Sequence, residues 1–207
     1  MKQDQDNSAH HLAIIRDLAP SGFYLALRLG FAFPLEEVNE LPADWVSHYS
    51  SHRYMLHDPV IRWAYDASGT IRWSEILIPD TQGIFRRASS FGLKFGAVIS
   101  CVDDGLDAQR SFGSFVRADR EFTDQELDTL AASVTFLHQS AAPPKNLTQA
   151  ELEALCMVRD GLRLKQIAHE LGVSEGAVKQ RLKNARVKLG AQTGPQAVTL
   201  ARTYGLI

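Results

Sequence analysis

Cysteine is nearly absent from this chain. It has two, Cys101 and Cys156, in 207 residues, and both lie inside apolar segments. That argues against a disulfide framework or a cysteine-based zinc site and points to a reducing cytoplasm. No apolar run approaches the ~20 residues that a membrane span needs. The opening MKQDQDNSAHH is polar and lacks the apolar core of a signal peptide. The seven histidines make no HExxH. There is no phosphate-cradling glycine loop. The chain is therefore expected to be no enzyme and to hold neither metal nor cofactor. Internal repeats and low-complexity tracts are missing as well.

What the sequence does have is uneven. Its net charge of −2 hides ten Lys and Arg against five Asp and Glu in residues 145–207, and twelve against nineteen in residues 1–144. A basic C-terminal third on an acidic body points toward nucleic acid, although a solvated face has the same composition. SAAPPKN, residues 140–146, is the best seam, because Pro143-Pro144 cannot continue a helix. The expected organisation is a ligand-binding domain over 1–140, a linker over 141–146 and a DNA-binding domain over 147–207.

Upstream of the seam, strands and helices mix. GFYLALRLGFAF (22–33), GAVISCV (96–102) and RSFGSFV (110–116) read as strands. The turn-like DDG at 103–105 makes a hairpin of the last two. A phosphoacceptor receiver would also have an acidic pair, but this one sits in mid-chain with no βα repeat around it. Helices are expected near 10–18, 43–50, 59–67 and 81–91. Another starts at a Thr123–Glu126 capping box, with Leu127, Leu130, Ala131, Val134 and Leu137 as its apolar stripe. Helices beside an antiparallel sheet predict an α+β sandwich.

Downstream, every segment reads as helix. Thr148 and Glu151 form a capping box, Leu152, Leu155 and Val158 follow at helical spacing, and Gly161 ends the helix. RLKQIAHELG (163–172) turns Ile167, Ala168 and Leu171 inward. Ser174 caps a helix over 175–189 whose inward positions are Val178, Leu182, Ala185 and Leu189. Gly194-Pro195 starts a fourth helix, with Ala197, Val198, Leu200 and Ala201 on its apolar face. Two short helices joined by LGVS describe a helix-turn-helix, which sets its second helix in the major groove. Lys179, Gln180, Arg181, Lys183, Asn184, Arg186 and Lys188 are left for DNA: Gln and Asn suit adenine edges, Lys and Arg suit guanine or phosphate.

The opposite end carries WVSHYSSHRYMLHDPV, residues 45–60. Trp45 and Tyr49 share a helix face, and Asp58-Pro59 reads as an N-cap and first-turn proline. Trp73, in TIRWSE, is expected on a strand. From the residues alone, two accounts stand level. The aromatics are core and Asp58 a simple cap, or Trp, Tyr and Asp line a pocket for a small amphiphile with carbonyls and an amide. His48, His52 and His57 lie in the same stretch and read as surface or core histidines.

Residues 147–207 resemble the LuxR-type helix-turn-helix from end to end. The landmarks are Leu147-Thr148, Glu151, Leu155, Gly161, Ile167-Ala168, Leu171-Gly172, Ser174, Val178, Lys188-Leu189-Gly190, Ala197 and Gly205-Leu206-Ile207. The resemblance implies a dimer on double-stranded DNA with a two-fold symmetric site. It implies DNA contacts at Ser174, Lys179, Gln180, Lys183 and Asn184, and RNA polymerase as a further partner. Gln149-Ala150 stands where many members carry Pro-Arg. At the other end, Trp45, Tyr49, Tyr54, Asp58 and Pro59, with Trp73 and Gly96 beyond, resemble the signature of the autoinducer-binding domain of LuxR-type quorum-sensing regulators. That resemblance implies an α/β/α sandwich enclosing an acyl-homoserine lactone. Trp45 would donate to the lactone carbonyl, Asp58 accept from the amide and Tyr49 donate to the acyl carbonyl. Trp73 would pack on the lactone ring and Tyr54 line the acyl chain. The sheet position that contacts the acyl oxygen falls on Ser111 or Ser114, in SFGSF, whose register the sequence leaves open.

Overall fold

The computed structural model describes residues 2–29, 34–104 and 108–207. They form two compact units, Lys2–Ala142 and Pro143–Ile207.

The first unit is a five-stranded sheet with helices on both faces. Helix α1 (Lys2–Leu18) precedes β1 (Gly22–Leu29) and β2 (Pro34–Asn39). Then come α2 (Ala43–Ser51), a 3-10 turn over Tyr54–Leu56, α3 (Pro59–Asp66), β3 (Gly69–Arg72), a second 3-10 turn over Trp73–Glu75 and α4 (Ile84–Ser90). The hairpin β4 (Phe95–Val102) and β5 (Arg110–Arg117) leads to α5 (Asp124–Ser140). Strand order is β2-β1-β5-β4-β3, antiparallel throughout.

Side chains alternate across this sheet, so each strand feeds two cores. Phe23, Leu25, Leu27, Ala97, Ile99 and Phe115 pack beneath α1 and α5 with Leu127, Leu130 and Val134. Ala26, Val98 and Phe112 face the other way, toward Val60 and Ala64 of α3. Thr123 and Glu126 close the capping box of α5, with Glu126 Oε2 accepting from the Thr123 amide at 2.8 Å.

Strand β1 breaks register between Ala26 and Leu29. Arg28 there takes a φ of +52° and is buried. The extra residue changes the parity of the strand: Leu27 joins the α1/α5 core, whereas Leu29 joins the opposite one. The Arg28 guanidinium donates through Nε to the His138 carbonyl at 2.9 Å and through a second nitrogen to Asp103 Oδ2 at 2.7 Å. The Arg28 amide donates to Ser111 Oγ at 2.8 Å, and Ser111 Oγ shares a 2.7 Å hydrogen bond with His138 Nδ1.

The second unit has four helices, α6 (Gln149–Arg159), α7 (Leu164–Glu170), α8 (Glu175–Lys188) and α9 (Gly194–Thr203). Ser174 caps α8, its hydroxyl accepting from the Ala177 amide at 3.2 Å. Leu155, Ala185, Leu189, Ala197 and Ala201 form one core, and Ile167, Ala168 and Val178 another. Gly172, at φ +62°, makes the turn between α7 and α8. The nearly buried Glu151 accepts from Lys188 Nζ at 2.9 and 2.8 Å, tying α6 to α8.

Several expectations shift. The first helix starts at Lys2, not near residue 10. The strand expected over 22–33 ends at Leu29, and 30–33 lie outside the described residues, as does Gly105 of the expected DDG turn. Helix α4 is shorter than expected. Trp73 is not on a strand: β3 ends at Arg72 and the chain turns. On α6, Ala154 and Leu155 are buried, while Leu152 and Val158 are half-buried. Strand β2 was not anticipated, because only Val38 packs into the α1/α5 core while its neighbours are polar.

Candidate functional site

Helix α2 sets Trp45 and Tyr49 one turn apart. Arg53, at φ +54°, reverses the chain into the 3-10 turn, and Asp58-Pro59 starts α3. The reversal brings Asp58 against Tyr49. Tyr49 donates its phenol proton to Asp58 Oδ2 at 2.7 Å, and the Val60 amide donates to Oδ1 at 2.8 Å. Asp58 thus caps α3 with one oxygen and holds Tyr49 with the other. Burial pushes its carboxyl above the ordinary range, opposed by those two hydrogen bonds. Burial, then the Asp58 charge, likewise raise the Tyr49 phenol.

These groups open on a cavity of about 380 Å³. Trp45, Tyr49, Asp58 and Trp73 line it, with Ile84, Phe85, Leu93 and Phe112 supplying apolar wall. The Trp45 ring lies edge-on to Tyr49 at 5.6 Å between centroids and 5.5 Å from Phe91. The Trp73 ring lies over Gly96, where an added Cβ would come within 2.1 Å of it. Among the described residues no acceptor meets the buried Trp73 indole NH. Such a site, largely apolar with a few convergent polar groups, suits a small amphiphile.

Four of the five residues singled out for ligand come together here; Tyr54 does not face the cavity. It is buried behind Trp45, 6.4 Å between centroids, with its hydroxyl 3.4 Å from His48 Nε2. The short 3-10 turn directs it into the core shared with Ile84, Leu93 and Val116. In this structure the one proton of Tyr49 goes to Asp58. Register separates the two serines: Ser114 lines the cavity, while Ser111 faces away and is bonded within the Arg28–His138 network. Sequence reasoning missed Tyr24, Glu37 and Asn39, which also line the cavity. The signal for Tyr24 was its place in a recognised strand; Glu37 and Asn39 had none, because β2 went unrecognised.

On α8, Lys179, Gln180, Lys183 and Asn184 are exposed. Gln180 Nε2 donates to Asn184 Oδ1 at 2.7 Å, pre-aligning two amides along the helix. Ser174 is exposed at the N-terminus of α8, and its hydroxyl proton is left to donate. Two residues counted as spare are engaged: Lys188 with Glu151, and Arg186 with the Gln192 carbonyl at 2.9 Å.

Comparison with known proteins follows the same division. A family model described as an autoinducer-binding domain matches residues 35–141. One for bacterial regulatory proteins of the luxR family matches residues 145–201. The transcriptional activator protein SolR of Ralstonia nicotianae is 30% identical over 182 residues, covering 80% of this chain and 75% of SolR. The transcriptional activator protein VanR of Vibrio anguillarum is 29% identical over 181 residues, with 80% and 75% covered. Among solved structures, Escherichia coli SdiA shares the fold at a TM-score of 0.52 and 24% identity, covering 98% of this chain and 91% of SdiA.

Proposed function

Because the chain belongs to the LuxR family of autoinducer-binding, DNA-binding transcriptional regulators, we propose that its cavity takes an acyl-homoserine lactone and that it acts in quorum sensing. The observation that carries this reading is the buried Tyr49–Asp58 pair beside Trp45. A lactone offers an amide NH next to an acyl carbonyl. Asp58 Oδ2 accepts from that NH, and the Tyr49 proton it releases turns to the acyl carbonyl. One hydrogen bond is exchanged for two, so burying the ligand's amide leaves neither its NH nor its carbonyl unpaired. Trp45 donates to the lactone carbonyl and Trp73 covers the ring.

Ligand burial adds stability to the first unit by mass action. Two copies of the chain then present two α8 helices to a two-fold symmetric DNA site. Lys179, Gln180, Lys183 and Asn184 meet base edges, and Ser174 a phosphate. RNA polymerase is the partner through which such binding reaches transcription.

The test is a melting-temperature screen of the full chain against homoserine lactones of varied acyl length. At a ligand concentration of 100 times Kd, stabilisation of about 2.7 kcal/mol is expected. Asp58→Asn keeps an acceptor for the Val60 amide but turns an NH2 toward the ligand's NH. Its fold should persist while the lactone shift disappears. A chain that no lactone stabilises, and whose DNA binding survives Asp58→Asn, would instead answer another small molecule or bind DNA without one. The packing of Trp45 and Tyr54 in a single core cluster favours that second reading.

A further inference from the structure

The wall of the cavity away from Trp45 is not uniformly apolar. Tyr24 on β1 pairs with Asn39 on β2 and with Ser114 on β5, which puts three polar side chains in one cross-strand row. Glu37 pairs with Ala26 in the next row. Tyr24, Glu37, Asn39 and Ser114 all line the cavity. The small side chain of Ala26, between Glu37 and Phe112, leaves space over the sheet in that second row. Burial, then the neighbouring Glu37 carboxylate, push the Tyr24 phenol up to about 12, so it stays protonated and able to donate. The cavity therefore holds two tyrosine–carboxylate pairs, Tyr49–Asp58 and Tyr24–Glu37. Strand β1 starts at Gly22, paired with Val116 of the Trp45 core, and runs on through Tyr24 and Ala26 to Leu29 at the cavity wall.

We propose that Tyr24 and Glu37 select a lactone whose acyl tail carries a hydroxyl group. A hydroxyl donates to the Glu37 carboxylate and accepts from the Tyr24 phenol, satisfying both partners. A tail carbonyl offers Glu37 no donor, and a plain methylene leaves Tyr24 and Glu37 only each other and solvent. This inference rests on the reading of Tyr49 and Asp58 as the site of the lactone head. Glu37 is exposed at the rim of the cavity, so the hydroxyl replaces water there and the gain is smaller than at a buried charge.

The test uses the full chain and a set of octanoyl-homoserine lactones. The set holds the unsubstituted compound, the versions with a tail carbonyl, and versions with one hydroxyl moved carbon by carbon from the third position to the end. Titration of tryptophan fluorescence gives each Kd. At least one hydroxylated lactone should bind about fivefold tighter than the unsubstituted compound and its carbonyl counterpart, the size of a solvent-screened hydrogen bond to a charge. Glu37→Leu should erase that preference and preserve the melting temperature of the chain without ligand. If all members bind alike, or the preference survives Glu37→Leu, the tail assignment is wrong and Glu37 is a solvated charge guarding a sheet edge. If no member binds, the head assignment fails and takes this inference with it.

Discussion

Gly96 is defined by what stands over it. The Trp73 ring occupies the place of a side chain at position 96, so residue 96 has no Cβ because the cavity has an indole wall. Gly96→Ala should destabilise the chain by about 1–3 kcal/mol in denaturant unfolding, the usual cost of overpacking. Pairing it with Trp73→Ala should cost less than the two changes summed, since the second removes the clash made by the first. Full additivity would show that Gly96 is needed for its backbone instead. At this scale the sequence was legible where one residue type has one use. Asp58 before Pro59 announced a cap, and Trp45 with Tyr49 a shared face. It was not legible for Tyr54, because a 3-10 turn and a helix aim the same residue differently. Nor could it separate Ser111 from Ser114: both faces of β5 are buried, so no polar alternation marks the register.

Among elements, the helices of the second unit could be read almost to their ends, since caps and apolar period agreed. What the period could not show is the tie between α6 and α8. Burial works to raise the Glu151 carboxyl, but hydrogen bonds from Lys188 and Thr148 outweigh it and hold it below its usual value. A carboxylate depressed by folding stabilises fully above the unfolded value of about 4.3, and that contribution fades as pH falls through the lower folded value. Lys188→Met leaves the buried carboxylate with its Thr148 hydrogen bond but no counter-charge. Because Lys188 is partly exposed, the loss should be about 2 kcal/mol rather than the larger figure for a fully buried pair. Amide exchange in α6 and α8 should then quicken roughly thirtyfold at neutral pH, and the difference from the parent chain should shrink on acidification. Strand β2 is the opposite case. Its cavity face carries Glu37 and Asn39, so the strand that helps form the binding wall is the one without a hydrophobic signature.

Over the whole molecule, the opposed charges of the two units acquire a place. Lys179 and Lys183 are exposed on α8, and the pair Lys179→Ala, Lys183→Ala should flatten the preference for a two-fold symmetric operator over random duplex. Exchange of one lysine on a phosphate would lower both affinities together and reduce the salt slope by about one. Footprints left unchanged by the double variant would remove α8 from the groove. The broad plan, an α+β sandwich before a helix-turn-helix, was legible because each half carries its own pattern. The depth and chemistry of the cavity were not, because they depend on cross-strand neighbours far apart in sequence.

The bulge at Arg28 gives β1 something like a reading frame. Upstream of it, odd-numbered residues belong to the helical core; beyond it, Leu29 belongs to the cavity. Inserting a single residue after that arginine would act as a frameshift in space, sending Leu29 into the wrong core without altering one apolar residue. The far wall of the cavity is thus written in the count of residues as much as in their kind. A change of ligand can arise here by substitution, whereas one added residue would exchange inside for outside.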